Sequence, residues 1–359
     1  MARTKALSIS IIVMAALIAF TAANGQLKAK AEQTRLARYE FTEAHMGTQF
    51  RIVLYAQDEE TARRASADAF NRIARLDATM SDYRETSELM TACKQAARHW
   101  VTISEDLFRV LTLSQRFARQ SAGAFDVTVG PVVQLWRRAR RQSELPDAKK
   151  LAAAGRLVGY TKLHLDAQRR AMRLDIEGMR LDLGGIAKGY AADAALAVLK
   201  ERGITIALVA AGGDIVTSDA PPGAQGWTVA VRALAAQDET SMIHLLLVNA
   251  AVSTSGDAEQ FVEINGTRYS HIIDPRTGQP LTGRRSVTVV AANGTTSDAL
   301  ATTASVLAAS RALRLIDRTP HAAAHIEVIE VMATGRIITS ESRRWSSIPK
   351  VSFEIMQED

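Results

Sequence analysis

Residues 180–203 read RLDLGGIAKGYAADAALAVLKERG, and the fold turns on how this stretch divides. Arg180 to Leu183 alternates charged and apolar side chains, as a short strand does. Gly184 and Gly185 make a turn, and apolar residues then recur at helical spacing until Gly203 stops the helix. Two glycines let a backbone approach a ligand closely, N–H groups at a helix start attract negative charge, and Lys188 adds a mobile positive one. The order Gly184, Gly185, Ile186, Ala187, Lys188, Gly189 matches neither the dinucleotide fingerprint nor the P-loop. The same residues also read as a tight strand-to-helix turn with a surface lysine, and the stretch alone does not choose.

The 359-residue chain is 47% hydrophobic and 23% charged, which suits a globular protein with a sizeable core. Its first residues differ from the rest. Arg3 and Lys5 precede an apolar run from Leu7 to Phe20, followed by small and polar residues. That is the layout of a secretory signal over residues 1–25, with an uncleaved N-terminal anchor as the alternative. The run is shorter than the roughly twenty residues a membrane span needs. The chain is therefore expected to be periplasmic, touching the membrane only through an uncleaved N-terminus or through a partner. Cys93 is the one cysteine, so no internal disulfide and no lipid-bearing cysteine after the signal are expected; it reads as a plain thiol. The formal charge is +6. The basic pairs are scattered and aromatics are only 5%, which disfavours a nucleic-acid face.

Glu59 to Asp77 carries helical spacing through Ala62, Ala65, Ala69, Ile73 and Leu76. Ser104 is the expected N-cap of a second helix running to about Gln120. MSDYRETSEL reads as a polar loop. Strands are expected at TKLHLD, AMRLDI and MRLDL, in ITIALVAAGGDIV, and at 227–232 and 242–248. QFVEINGTRYSHIIDP places Asn265-Gly266 between two strand-like runs, a type I′ hairpin signal. SVTVVAA is a strand, Thr296 to Ser310 a helix, and a last hairpin turns at Thr334-Gly335. Helices thus mingle with hairpin-linked strands. The expectation is one α+β domain, 38–350, with mixed or antiparallel sheets.

Four constellations could carry chemistry. The first is the opening stretch. In the second, TTSDALATTASV, Asp298 and Thr302 stand four apart on a helix and share a face. Carboxylate and hydroxyl are hard donors suited to Mg²⁺ or Ca²⁺, and two of them suit a Mg²⁺ that keeps waters and holds a phosphate. Taken alone, the pair is better explained by a helix-dipole carboxylate and a small packing residue. In the third, RYSHIIDPRTGQP, His271 and Asp274 at a strand end offer a general base beside a carboxylate, or a satisfied structural histidine. In the fourth, SAGAFDVTVGP, a glycine-punctuated bend presents Asp126, and the loop bearing Tyr83 offers an aromatic face.

MGTQF, MSDYRETSEL, GAFDVTVGP, LDLGGIAKGYAAD, AGGDI, STSGD, SHIIDPRTG and SVTVVA with SDALATT occur in one order along residues 41–310. Together they resemble the ApbE family, the FAD:protein FMN transferases. The resemblance implies an α+β, T-fold-like domain that uses FAD as substrate and Mg²⁺ as metal. It implies cleavage of the FAD pyrophosphate, transfer of FMN to a threonine or serine of an acceptor flavoprotein, and release of AMP. It assigns Asp298, Thr302 and the Ala187 carbonyl to the metal. Met46, Tyr83, the backbone of Ala124, Phe125 and Asp126, Gly184 and Lys188 are assigned to FAD, and His271 with Asp274 to catalysis. The expected acceptor has a periplasm-facing FMN-binding domain, as in sodium-pumping or Rnf-type redox complexes or the regulator-like flavoprotein of nitrous oxide respiration. Val127 stands where the family typically has proline and Ala210 where it commonly has asparagine, which bears on loop geometry and FAD affinity. An FAD pyrophosphatase and a non-catalytic flavin-binding assembly protein are the alternative readings.

Overall fold

The computed structural model describes residues 36–232, 234, 242–256, 260–329 and 337–350. The expected signal segment, Asp257 of STSGD and the Thr334-Gly335 turn lie outside the described residues.

The centre of the molecule is an eight-stranded sheet. Its spatial order is Ala37–His45, Thr48–Ala56, Ala207–Ala211, Asp214–Thr217, Ala251–Gly256, Arg285–Ala291, Ala323–Ile329 and Ile337–Glu341. Every neighbouring pair in it is antiparallel. Side chains alternate between its faces. Phe50, Ile52, Leu54, Ala207, Val209, Ala211, Val287 and Val289 join the main helical core. Val53, Leu208, Ala210, Val252 and Val290 point the other way, against Trp345 and the hairpin of Trp227–Arg232 and Met242–Leu247. Both faces are covered, which is why 206–211 reads as an unbroken apolar run.

Helix Glu59–Met80 begins at Asp58, whose carboxylate accepts from the Thr61 N–H at 2.7 Å, and buries the five residues its periodicity singles out. Ser104 caps helix Glu105–Ser121. Helices Glu88–Gln95, Gly130–Gln142 and Ala148–Arg156 were not expected. The first lies partly in the segment read as a polar loop, because Ser87 caps it and Leu89, Met90, Ala92 and Cys93 supply its buried face. Burial pushes the Cys93 thiol up to about 11, so it stays protonated and unreactive. Arg180–Leu183 forms no strand and pairs in no sheet; the Asp182 N–H donates to the Val127 carbonyl instead.

A smaller sheet, Phe261–Ile264, Thr267–Asp274 and Gln279–Thr282, contains the expected type I′ hairpin, with positive φ at Asn265 and Gly266. Helix Gly130–Gln142 packs on it through Trp136, whose indole lies against Tyr269 and donates to the Gly278 carbonyl at 3.0 Å.

Helices Ala187–Glu201 and Gly294–Val306 cross so closely that a Cβ at Gly189 would collide with the Gly294 carbonyl. That oxygen is backbone in a capped helix start and has nowhere to move. Gly189→Ala is expected to cost about 3 kcal/mol, the upper end of overpacking penalties, read by chemical denaturation; unchanged stability would contradict the close crossing.

Candidate active site

The double-glycine turn is wound by two bonds, Ile186 N–H and Ala187 N–H donating to the Leu183 carbonyl at 3.0 and 2.9 Å. It is tied down where the Asp182 carboxylate accepts from the Gly184 N–H at 2.8 Å. The turn places Ala187 and Lys188 in the first turn of helix Ala187–Glu201.

Asp193 from the same helix accepts from the Gly294 and Thr295 N–H groups at 2.7 and 2.8 Å and from the Thr295 hydroxyl. It therefore caps the second helix from outside. One turn on, the Asp298 carboxylate accepts from the Gly189 N–H at 3.1 Å. Thr302 lies against Gly185, where an added Cβ would come within 3.0 Å of its hydroxyl oxygen. The four-residue spacing thus does put Asp298 and Thr302 on one face, and that face meets residues 185–189.

Lys188 Nζ donates to the Asp214 carboxylate at 2.5 Å and stands 3.7 Å from that of Asp298. Burial works against the lysine's charge, but the two carboxylates outweigh it and raise its pKa. Asp298 is pushed up to about 7, first by burial and then by the neighbouring Asp214 charge, against the pull of Lys188 and the Gly189 N–H. Two buried carboxylates and one ammonium leave an excess negative charge at this point.

Asp214 was quoted within AGGDI but given no role from the sequence. The signal was a carboxylate leaving a buried strand through two glycines. Those glycines are demanded by crowding: a Cβ on Gly213 would sit 2.8 Å from the Thr254 carbonyl. Gly212 has positive φ and faces Thr48. Met46, also at positive φ, forms with Gly47 the hairpin turn just before Thr48, so Met46 is near the same end of the central sheet. Ser253 and Ser297, hydrogen-bonded at 2.8 Å, join that sheet to the metal-candidate helix.

Tyr83 is 70% exposed, with the Arg137 guanidinium 4.2 Å from its ring centre. Arg137 pairs with Asp82 and, at 2.8 Å, with Asp182. Tyr83, Arg137, Asp182 and Gly184 therefore form a continuous chain of contacts to the double-glycine turn. Burial and then Asp182 hold the Asp82 carboxyl up at about 6 against Arg137. Arg137 was read from sequence only as one of several scattered basic pairs; nothing local marks it.

Ala124, Phe125 and Asp126 are buried. Phe125 packs edge-on against Phe117, and the Asp126 carboxylate accepts from the Thr128 N–H and hydroxyl at 2.8 and 2.7 Å. Burial pushes the Asp126 carboxyl up. These side chains hold the bend, so it is the backbone that can face a ligand.

His271 Nδ1 lies 3.1 Å from the Gln260 carbonyl, to which the His271 N–H also donates at 3.0 Å. A carbonyl only accepts, so this contact places a proton on Nδ1, and in the neutral ring the lone pair is then on Nε2. The Asp274 carboxylate accepts from Arg276 three times, at 2.9, 2.8 and 2.7 Å. It anchors the turn after His271. The His271 strand packs on helix Gly294–Val306, which carries Asp298 and Thr302.

A sequence model described as "ApbE family" matches residues 46–326. The chain is 32% identical over 277 residues to an FAD:protein FMN transferase of Klebsiella pneumoniae (strain 342), covering 76% of this chain and 79% of that one. It is 31% identical over 304 residues to one of Treponema pallidum (strain Nichols), covering 80% and 84%. The flavin transferase ApbE from Vibrio cholerae superposes with a TM-score of 0.77 at 27% identity, over 88% of this chain and all, 100%, of that one. Pseudomonas stutzeri flavinyl transferase ApbE, in its apo form, gives 0.77 at 26% identity over 87% and 97%.

If Asp214 is what raises Asp298, Asp214→Asn should lower the Asp298 pKa by roughly one unit or more. Carboxyl-carbon NMR titration reads this directly, and an unmoved Asp298 would contradict the charge balance given above.

Proposed function

The chain belongs to the ApbE family, and from that premise we propose that it moves the FMN half of FAD onto a hydroxyl of an acceptor flavoprotein and releases AMP. The observation that carries this reading is the half-buried Lys188 ammonium between the buried carboxylates of Asp214 and Asp298, set beside a side-chain-free turn.

Mg²⁺ fits the residues present. Asp298 offers a carboxylate, Thr302 a hydroxyl and Ala187 a carbonyl, all hard oxygen donors. Asp298 is pushed up to about 7 by burial and then by the neighbouring Asp214 charge, a condition that a divalent cation relieves. Among the described residues no group of three or more His, Cys, Asp or Glu could hold a metal, which suits an ion completed by water and substrate phosphate rather than a protein cage. When bound, the ion would neutralise charge on the pyrophosphate.

The protein's own groups do the rest. Gly184 and Gly185 let the pyrophosphate approach the backbone, and the Lys188 ammonium, fixed by Asp214, faces the charge that develops on it. Tyr83 gives the flavin an open aromatic face, and Met46 and the 124–126 backbone line the approach. His271 Nε2 takes the proton of the acceptor hydroxyl. The hydroxyl oxygen bonds to the FMN phosphorus as the bridging P–O bond breaks, and the electron pair leaves on the AMP phosphate. Asp274, through Arg276, holds the turn that follows His271. Water in place of the hydroxyl would give free FMN and AMP.

The acceptor faces the periplasm if residues 1–25 export the chain. No helix among the described residues is long and apolar enough to cross a membrane.

Mass spectrometry tests the reading. The chain without its first 25 residues, incubated with FAD, Mg²⁺ and an FMN-binding domain of a sodium-pumping redox complex, should add an FMN mass to that domain and release AMP. EDTA and Asp298→Ala should abolish both. His271→Ala should slow transfer by about 10²-fold or more with FAD binding nearly intact. Free FMN without labelling of this or a second acceptor domain would favour the hydrolase, and FAD left intact would overturn turnover altogether.

A further inference from the structure

Helix Gly130–Gln142 ends in a run of arginines with unequal surroundings. Arg137 is consumed by Asp82 and Asp182, and Arg138 donates outward to Gln142 at 2.9 Å. Arg140 is half-buried, and among the described residues the charges acting on it are Tyr83, Arg137 and Arg141, with no carboxylate. Burial and its two cationic neighbours accordingly hold its pKa below the usual arginine value. A guanidinium desolvated beside other guanidinium groups is a site that an anion would relieve.

Arg140 and Arg141 line a surface cavity of about 320 Å³ with Tyr83, Arg137, Gln260 and Phe261. Among the described residues Tyr83 and Phe261 are two of the few exposed large apolar side chains, at 70% and 39%. Exposed aromatics beside arginines are the composition of a protein-recognition patch. Gln260 connects the cavity to chemistry, because its carbonyl holds both the N–H and the Nδ1 of His271. What sits in this cavity is next to the proposed base.

We propose that the cavity docks an acidic segment of the acceptor protein, with Arg140 and Arg141 taking carboxylates that flank the hydroxyl to be modified and Phe261 lying along the chain, while Tyr83 at the cavity's edge keeps its open face for the flavin. The proposal rests on the transferase reading and deepens it by naming what the acceptor must carry. The phosphates of FAD are the other candidate anion, but Lys188 and the double-glycine turn already answer them, and neither lines this cavity. Charge placed at the rim of such a site acts chiefly on capture of the partner.

The test is steady-state transfer to the FMN-binding domain labelled in the assay above, at saturating FAD and at low and high salt. The double variant Arg140→Gln, Arg141→Gln should raise KM for the acceptor about tenfold or more, flatten its salt dependence and leave KM for FAD within about twofold. Arg138→Gln, which faces Gln142, should change nothing, and thermal melts should show all variants folded. Acceptor domains whose Asp and Glu near the labelled hydroxyl are changed to amides should lose affinity for the wild-type enzyme and lose little more with the double variant. An unchanged acceptor KM, or a parallel rise in KM for FAD, would overturn the proposal while leaving the transferase intact. Absence of labelling by the wild-type chain would overturn both.

Discussion

Lys188 lies between Asp214 and Asp298, and most of the structure can be read as the means of holding that triad in place. Burying two carboxylates with one ammonium is unfavourable unless other donors and a further cation complete it. The Gly189 N–H supplies one donor. The remaining imbalance shows as an Asp298 pKa near 7. Such a group binds its proton more tightly folded than unfolded. The protein alone therefore loses stability as pH rises from the ordinary carboxylate range through about 7. A bound cation offsets that loss, so the centre exchanges some stability for affinity.

Three separate parts of the chain must meet for the triad to exist. The double-glycine turn brings Lys188, the end of the central sheet brings Asp214, and a helix capped by Asp193 brings Asp298. Their approach is set by absent side chains. Gly189 and Gly294 let two helix backbones touch, Gly185 makes room for Thr302, and Gly213 lets the Asp214 turn pass the Thr254 carbonyl. Gly189, Gly213 and Gly294 are thus spacers, whereas the Gly184-Gly185 turn also leaves the backbone open to the pyrophosphate. The turn that resembled a phosphate loop has its Gly184 N–H engaged by Asp182.

Much of this was legible in the sequence where one local rule suffices. Periodicity found helix Glu59–Met80, the Ser104 cap found the next, and Asn265-Gly266 found the hairpin. The four-residue spacing of Asp298 and Thr302 gave their shared face. What escaped depended on distant partners. Asp214 matters because Lys188 reaches it, Arg137 because Asp82 and Asp182 flank it, and Asp193 because another helix begins beside it. Short helices such as Glu88–Gln95 were hidden by polar composition. A strand was expected at 180–183, where the pattern alternates but no strand stands alongside. Family resemblance supplied the proposed ligands of these residues, while the network joining Tyr83 to Gly184 came only from the fold.

The measurement that bears most directly on this account is proton release on metal binding, obtained by titrating Mg²⁺ calorimetrically in buffers of differing ionisation enthalpy. If Asp298 titrates near 7 and must ionise to bind the ion, close to one proton should leave per metal at about pH 6, falling towards none above about pH 8. Asp298→Asn should abolish the release. Metal binding at pH 6 with no proton released would contradict the buried, negatively overcharged centre on which the rest depends.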